Sequence, residues 1–279
     1  MESGNSKPAV VGLVAGAGAL PIEFVRNARS MGIERVVAQG FAGQTPPEVA
    51  ELADHYQEIG FGQLNKAVRF FKKHGASDIL LLGWVEPKLA ISNFKMDFRM
   101  LALAAKTRDR RADSVLRALI DEIAKDGIRV LETTEYLPHL LVEKGVLTKK
   151  KPSKDHYADI ALGKKAALTI GGLDIGQTVV VRKHAVVAVE AMEGTDKCVR
   201  RSGEFGSGGV VVKMAKPEQD KRFDVPCFGP RTIESMIEAK SAVLAVEAGT
   251  AFIIEREKTL SMADANGISI VGVERDIVG

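Results

Sequence analysis

Short apolar runs alternate with amphipathic segments along the first half of the chain. Strand-like runs lie at 9–15, 33–41, 55–59, 78–85 and 128–133, and amphipathic helix patterns lie at 21–32, 63–75 and 113–127. Strands that alternate with helices are typical of a mostly parallel sheet with helices on both faces. We therefore predict an α/β fold that starts with a Rossmann-like parallel-sheet domain over residues 8–142.

The pattern changes after a lysine-rich segment of little periodicity, residues 143–156, which we interpret as a linker. Beyond it, a helix is predicted over about 157–171, and residues 177–191 form two β-like runs around a polar turn, as in a hairpin. Further strand-like runs lie at 210–214, 242–248 and 251–256, and a helix pattern lies at 231–240. We predict a second α/β domain with a mixed sheet over residues 157–279.

Composition indicates which kinds of binding partner and which cellular compartment suit the chain. A formal charge of +3 lacks the dense basic stripe of a nucleic-acid binder, so no nucleic-acid partner is predicted, whereas an anionic small molecule or a membrane surface suits it. Two cysteines, Cys198 and Cys227, do not make a disulfide framework and indicate a reducing cytosol. No segment has the roughly 18 consecutive apolar residues of a membrane-spanning helix. The chain is predicted to be soluble or associated with a membrane surface.

A glycine-rich stretch, GAGALP, follows the first strand-like run and places Gly16 and Gly18 before a predicted helix. Three interpretations stay open. The glycines can make a tight turn, they can let the backbone approach an anion or nucleotide at a helix N-terminus, or they can bind a dinucleotide. The dinucleotide motif is incomplete, because Pro21 takes the third glycine position and the next strand ends in Ala38-Gln39-Gly40 without an acid.

The stretch EGTDKCVRR (193–201) brings two carboxylates, a hydroxyl and arginines to one junction between a strand and a helix. Glu193 and Asp196 are three residues apart, so one helical turn could present both to a hard cation, with Thr195 and Arg200 beside a substrate. The alternative is a helix cap with the arginines in solvent.

A third stretch, QDKRFDVPCFG (219–229), places Asp224 two residues before a proline. Alternation over 222–225 and the constraint of proline on the preceding residue predict that Asp224 is held on an extended backbone. Its sequence neighbours are polar or basic and suit a phosphate ester bound to a metal: Lys213, Lys216, Gln219 and Arg222. The alternative is a turn aspartate.

Six blocks together resemble one family. In order they are GLVAGAGALP (12–21), RRADSVLRALI (110–120), LDIGQTVVV (173–181), AVEAMEGTDKCVRR (188–201), KPEQDKRFDVPCFGPRTI (216–233) and VEAGTAFIIER (246–256). They resemble the two-domain bacterial UDP-2,3-diacylglucosamine pyrophosphatases of lipid A synthesis, which are unrelated to the metallophosphoesterase-fold enzymes that perform the same step. The blocks run across nearly the whole chain.

The resemblance implies hydrolysis of UDP-2,3-diacylglucosamine to UMP and 2,3-diacylglucosamine 1-phosphate (lipid X), with Mg²⁺ or Mn²⁺ and with water attacking the phosphorus on the sugar side. It places the family's critical aspartate on Asp224, which would bind the metal or position the water. Since Mg²⁺ takes only one or two carboxylates, Asp224, Glu193 and Asp196 suffice as catalytic and metal-binding residues. A cleft between the two domains would cover the acyl chains.

The implied substrate is anchored by two acyl chains, so peripheral contact with the cytoplasmic face of the inner membrane is expected. A second copy of the chain is a candidate partner. Two alternatives of other classes stay open at this point: a Rossmann-type NAD(P)-dependent oxidoreductase, and a nucleotide-sugar or lipid-binding module without activity.

Overall fold

The computed structural model describes residues 7–86, 96–106 and 112–275. The chain forms two compact units. The first unit consists of the residues up to Leu137 together with Lys221–Asp224, and the second unit consists of Pro138–Asp220 and the residues from Val225 onward. The short segment Lys221–Asp224 therefore belongs with the N-terminal part of the chain.

The first unit is built on a parallel five-stranded sheet of order β3-β2-β1-β4-β5. Its strands are β1 Val10–Ala15, β2 Arg35–Phe41, β3 His55–Ile59, β4 Asp78–Leu82 and β5 Arg129–Val130, and its helices are α1 Leu20–Asn27, α2 Pro47–Leu52, α3 Leu64–Lys73, α4 Phe98–Lys106 and α5 Ala112–Ala124. The predicted parallel Rossmann-like sheet is confirmed.

Apolar patterning explains these elements. Strand β1 reads VVGLVA and is largely buried, as expected of a strand inside a parallel sheet that is covered on both faces. Helix α3 buries Leu64, Val68 and Phe71, whose spacing of four and three residues forms one apolar stripe. These side chains pack into a core cluster with Ile79 of β4.

The second unit contains a six-stranded mixed sheet of order β6-β13-β11-β9-β7-β8 and a two-stranded parallel pair of β10 and β12. Its strands are β6 Gly145–Val146, β7 Thr178–Arg182, β8 Ala185–Val189, β9 Val210–Lys213, β10 Cys227–Phe228, β11 Val243–Glu247, β12 Phe252–Ile253 and β13 Ser269–Val273. Its helices are α6 Lys154–Gly172, α7 Thr195–Ser202, α8 Pro230–Glu238 and α9 Arg256–Ala265. The prediction of a mixed sheet is confirmed.

Strands β9, β11 and β13 run parallel, whereas β7 runs antiparallel to β9 and β8 antiparallel to β7. The carboxyl ends of the three parallel strands therefore share one edge of the sheet, which we call the carboxyl edge. Strand β7 starts at this edge, since Thr178 pairs with Lys213 at the end of β9. Strand β8 ends there, since Val189 pairs with Val179.

The residues predicted as a linker, 143–156, are ordered parts of the second unit. Strand β6 within them pairs with β13. Helix α6 begins at Lys154, because Ser153 accepts a hydrogen bond from the His156 amide at 3.2 Å while the His156 ring accepts one from the Ser153 amide. None of the described helices is both long and apolar enough to cross a membrane.

Candidate active site

Polar side chains converge at the carboxyl edge of the second unit. Lys213 is the last residue of β9, Thr178 is the first residue of β7, and Glu190 directly follows β8. Thr195 begins helix α7, after Gly194 with a φ of 82°. Binding sites of open α/β sheets lie at this kind of edge.

Three of these residues form a connected chain of hydrogen bonds. The Lys213 ammonium donates to the Thr195 hydroxyl at 2.8 Å, and that hydroxyl donates to Glu190 Oε1 at 2.8 Å. Lys213 is 5% exposed and Glu190 is 7% exposed. The second carboxylate oxygen of Glu190 accepts a hydrogen bond from the Gln177 amide at 3.3 Å. We call this arrangement the Lys213–Thr195–Glu190 chain.

The Lys213 ammonium has no carboxylate in direct contact within the part of the chain that the structure describes. Its hydrogen bond to the neutral Thr195 hydroxyl is its one described polar contact, and the negative charge of Glu190 is linked to it only through that hydroxyl. A buried ammonium without an anion in direct contact is costly. The arrangement is therefore chemically suited to receive an anion at the end of β9, beside the N-terminus of helix α7, where backbone amides also favour negative charge.

Glu193 and Asp196 are engaged by different partners. Glu193 accepts hydrogen bonds from Arg201 at 2.9 Å and from the Ala191 amide at 3.1 Å. Its own backbone amide and the Arg201 side chain lower the pKa of the Glu193 carboxyl. Asp196 instead lies near helix α8, where it accepts a hydrogen bond from Thr232 at 3.3 Å and lies 3.4 Å from the exposed Arg231.

The other predicted substrate contacts of the second unit surround this edge. Lys216 forms an ion pair with Asp174 at 2.7 Å, and its amide donates to Gln219 Oε1 at 2.8 Å. The Gln219 side-chain nitrogen is buried and has no hydrogen-bond partner among the described residues. Arg200 points to helix α8, where it pairs with Glu238 at 2.6 Å. Lys216 and Gln219 thus belong to one loop, whereas Arg200 serves the contact between two helices.

Arg222 and Asp224 belong to the first unit. Residues 221–223 form a turn, where the alternating pattern predicts an extended segment. The carbonyl of Lys221 accepts hydrogen bonds from the amide and the hydroxyl of Thr133 at 3.1 and 3.0 Å, and Phe223 packs against the core of the first unit. These contacts hold the backbone on which Asp224 sits.

The glycine loop is explained by close contact with the end of β4. The Gly16 amide donates to Leu82 O at 2.8 Å, and the Ala17 amide donates to Trp84 O at 2.7 Å. A Cβ at Gly16 would lie 2.6 Å from Trp84 O, and Gly18 has a φ of 94°. Both glycines are therefore needed for the local backbone. Their predicted contact with the substrate stays a prediction.

Among residues 7–86, 96–106 and 112–275, no group of three or more His, Cys, Asp or Glu side chains could hold a metal ion. Burial raises the pKa of Cys198 on helix α7 to about 12, so this thiol is unreactive. Neither Glu190 nor Thr178 is among the site residues predicted from the sequence. Glu190 has a recognisable signal, because it is an acid that ends the otherwise apolar run AVVAVE.

Two family models divide the chain between them. The LpxI N-terminal domain matches residues 10–140, and the LpxI C-terminal domain matches residues 143–271. A relative from Caulobacter vibrioides, described as "UDP-2,3-diacylglucosamine pyrophosphatase LpxI", is 32% identical over 95% of this chain and 97% of that protein. The chain belongs to the LpxI family. The resemblance stated from the sequence blocks is confirmed.

The match to the LpxI C-terminal domain contains both the Lys213–Thr195–Glu190 chain and Asp224, although the structure packs Asp224 with the first unit. Two solved structures with low sequence identity were also found. One, titled "Crystal structure of gox2253", is 10% identical with a TM-score of 0.35 over 96% of this chain and 78% of that one. A phosphoribosylglycinamide synthetase from Anaerococcus prevotii is 11% identical with a TM-score of 0.24 over 68% of this chain and 34% of that one.

Proposed function

We propose that this chain hydrolyses the pyrophosphate bond of UDP-2,3-diacylglucosamine to UMP and 2,3-diacylglucosamine 1-phosphate, a step of lipid A synthesis. Membership of the LpxI family supports this activity, since the Caulobacter vibrioides relative carries that description over nearly its full length. It also favours a hydrolase over a nicotinamide-dependent oxidoreductase or an inactive binding module.

The observation that carries the proposal is the buried Lys213 ammonium, whose described partner is a neutral hydroxyl. A pyrophosphate diester brings two negative charges, which would supply an anion in direct contact with Lys213. Charge-assisted hydrogen bonds to phosphate are stronger than neutral ones. Lys213 and Thr195 would therefore hold the pyrophosphate, with the loop of Lys216 and Gln219 nearby in sequence and Arg222 contributing from its own segment.

Asp224 is proposed to position the attacking water or to bind the metal, with attack on the sugar-side phosphorus. The turn at 221–223 supports this role, because the contacts of Lys221 and Phe223 hold the backbone next to Asp224. Positioning of this kind lowers the entropic cost of the reaction. The predicted location of the catalytic site between the two domains stays a prediction.

A divalent cation, Mg²⁺ or Mn²⁺, is proposed as the cofactor. It would supply charge neutralisation across the phosphate oxygens. Mg²⁺ takes one or two carboxylates and keeps several waters, so it needs few ligands from the protein. Asp224, Asp196 and Glu193 stay the proposed ligands. Of the two in the second unit, Asp196 has the longer contacts, at 3.3 and 3.4 Å, whereas Glu193 is engaged by Arg201 at 2.9 Å.

Peripheral contact with the cytoplasmic face of the inner membrane is proposed as well. Trp84 is 56% exposed and Phe98, at the start of helix α4, is 91% exposed, so the first unit presents large apolar side chains to its surroundings. Five lysines of the segment 143–156 are exposed in the second unit: Lys144, Lys149, Lys150, Lys151 and Lys154. Such residues suit an anionic lipid surface. The homodimer stays a prediction.

The direct test is incubation with UDP-2,3-diacylglucosamine, with and without EDTA, followed by mass analysis. We expect UMP and the diacylated sugar phosphate in the untreated reaction, loss of both after chelation, and recovery with Mg²⁺ or Mn²⁺. Absence of UMP in every condition would overturn the proposed activity. Full turnover after exhaustive chelation would overturn the metal requirement alone.

A further inference from the structure

Glu190 is a buried acid at the carboxyl edge to which the proposed reaction assigns no role. Both of its carboxylate oxygens are used inside the second unit: Oε1 accepts from the Thr195 hydroxyl at 2.8 Å and Oε2 accepts from the Gln177 amide at 3.3 Å. It forms no ion pair with Lys213. Its charge therefore acts on Lys213 through Thr195, not by direct contact.

The direction of the hydrogen bonds in the chain is fixed by chemistry. A carboxylate only accepts and an ammonium only donates, so the Thr195 proton goes to Glu190 at 2.8 Å in preference to the neutral Thr178 hydroxyl at 3.5 Å. The lone pairs of that oxygen then face Lys213, which donates to them at 2.8 Å. A different group in place of the Glu190 carboxylate would permit the hydroxyl to turn, and Lys213 would lose its fixed acceptor.

We propose that Glu190 is a positioning residue for anion binding: through Thr195 it holds the Lys213 ammonium at the end of β9, where a phosphate group is received. The inference rests on the proposed function, since it names a further residue of the same site. Lys213 contacts the anion, Thr195 orients Lys213, and Glu190 orients Thr195.

The direction in which Glu190→Gln changes the affinity for an anion separates a positioning role from a purely electrostatic one. Glu190→Gln keeps the shape of the side chain and removes a negative charge near the anion site. If electrostatics alone mattered, an anion would bind more tightly after this change, because its repulsion by Glu190 is lost. Positioning gives the opposite result, because an amide presents a donor as well as an acceptor and no longer fixes the hydroxyl. We expect inorganic pyrophosphate to bind about tenfold more weakly, the size typical of losing one charge-assisted hydrogen bond.

The measurement is calorimetric titration of inorganic pyrophosphate into the full chain, with Mg²⁺ present, for wild type, Glu190→Gln, Thr195→Val and the double variant. If Glu190 acts through Thr195, the second change adds little in the Thr195→Val background, so the losses are not additive. Unchanged or tighter binding by Glu190→Gln, or additive losses, would overturn the inference. Failure of the wild type to bind pyrophosphate would overturn it too.

Two further variants separate an effect on anion binding from a general loss of folding stability. Glu190→Asp keeps the charge and withdraws the carboxylate by one methylene, so it should also weaken binding, and unchanged affinity would count against positioning. Glu247→Gln is the control for the lost charge, since Glu247 is another buried acid at the carboxyl edge, ends strand β11 and pairs with Arg275 at 2.8 Å. It should lower the melting temperature without weakening pyrophosphate binding.

Pyrophosphate binding tests the role of Glu190, and UMP release tests the proposed activity. One of the two can therefore fail while the other stands. If the wild type releases UMP while Glu190→Gln binds pyrophosphate normally, the positioning role is wrong and the activity stands. If the wild type binds pyrophosphate in a manner that depends on Glu190 yet releases no UMP, the proposed activity is wrong and the role of Glu190 in anion binding stands.

Discussion

Lys213 brings a positive charge to a position that is 5% exposed, where the described partner is a hydroxyl. This arrangement is a poor one for stability alone, because burying an ammonium without a carboxylate in direct contact is costly. If Lys213 served stability, its replacement would lower the melting temperature. If it serves anion binding, its replacement would weaken pyrophosphate binding without that loss of stability.

For this single residue we predict that Lys213→Met weakens pyrophosphate binding by at least about tenfold, because one charge-assisted contact is lost. The melting temperature should stay level or rise, because methionine fills similar space without a charge. Lys197→Met is the control, since Lys197 is exposed on helix α7, which also carries Thr195, and its loss changes net charge equally. A variant that melts much lower and binds pyrophosphate normally would make Lys213 a structural residue.

Asp224 is the second residue whose role can be separated from folding. We predict that Asp224→Ala loses at least about 100-fold in kcat while substrate binding and melting temperature change little, as for a group that acts in the transition state. Phe223→Ala is the contrast, because Phe223 packs against the core of the first unit and its loss should destabilise that unit. Near-normal kcat with a lower melting temperature in Asp224→Ala would identify a turn aspartate.

Sequence alone identified some of the residues at the carboxyl edge but not their roles. Thr195 and Lys213 were predicted as substrate contacts, and the structure joins them at 2.8 Å. Glu190 was not predicted, because the burial of that acid depends on the pairing of β7 with β8. Three interpretations of the glycine loop were open, and the structure shows one local reason for the glycines, since the Gly16 amide donates to Leu82 O. That hydrogen bond joins segments far apart in sequence.

At the scale of elements, the end of helix α3 meets strand β3 through two histidines. The His55 and His74 rings lie with centroids 4.0 Å apart. Burial lowers the pKa of His74, and the charges of His55, Lys73 and Arg35 lower it further. A histidine whose pKa is lower in the folded than in the unfolded state favours folding above its unfolded pKa, about 6.5.

We therefore predict that the first unit loses stability as the pH falls from about 7.5 to below 6, because the unfolded chain then binds a proton that folded His74 resists. Urea denaturation of wild type and His74→Gln at the two pH values measures this. The variant should show a smaller difference between them. An equal difference in both proteins would remove His74 as the cause.

Elements with a long, clear pattern were predictable, and two of the shortest ones were not. Strands β1 and β4 are apolar runs, and helix α3 has a regular apolar stripe. The two-residue strands β5 and β12 lie inside predicted strand-like runs, whereas β6 and β10, also of two residues, lie outside them, because so short an element shows no periodicity. Their pairing, and the order of the mixed sheet, depend on contacts between remote segments that local sequence does not encode.

At the scale of the whole molecule, the two α/β units follow from the alternation of strands and helices, while the return of Lys221–Asp224 to the first unit does not. That segment lies between two strands of the second unit, so its sequence position suggests the second domain. Its place is decided by Phe223 and by the Thr133 contacts of Lys221. Only the resemblance of whole blocks to a family pointed to the substrate.

The exposed lysines of residues 143–156 give a prediction at this scale. Lys149→Ala with Lys151→Ala should weaken binding to anionic vesicles by about 30-fold, since each lysine near such a surface contributes about 1 kcal/mol. Added salt should weaken wild-type binding further. Vesicle sedimentation measures both effects, with Lys72→Ala and Lys73→Ala on helix α3 as the control pair. Vesicle binding that changes neither with added salt nor with the loss of both lysines would indicate a purely apolar contact.

The central claim is hydrolysis of a pyrophosphate by water, and isotope labelling tests it most directly. The wild-type chain is incubated with UDP-2,3-diacylglucosamine and Mg²⁺ in water enriched in oxygen-18, and both products are weighed by mass spectrometry. Attack on the sugar-side phosphorus places the label in 2,3-diacylglucosamine 1-phosphate and leaves UMP unlabelled. Label in UMP would contradict the direction of attack, and the absence of both products would contradict the activity itself.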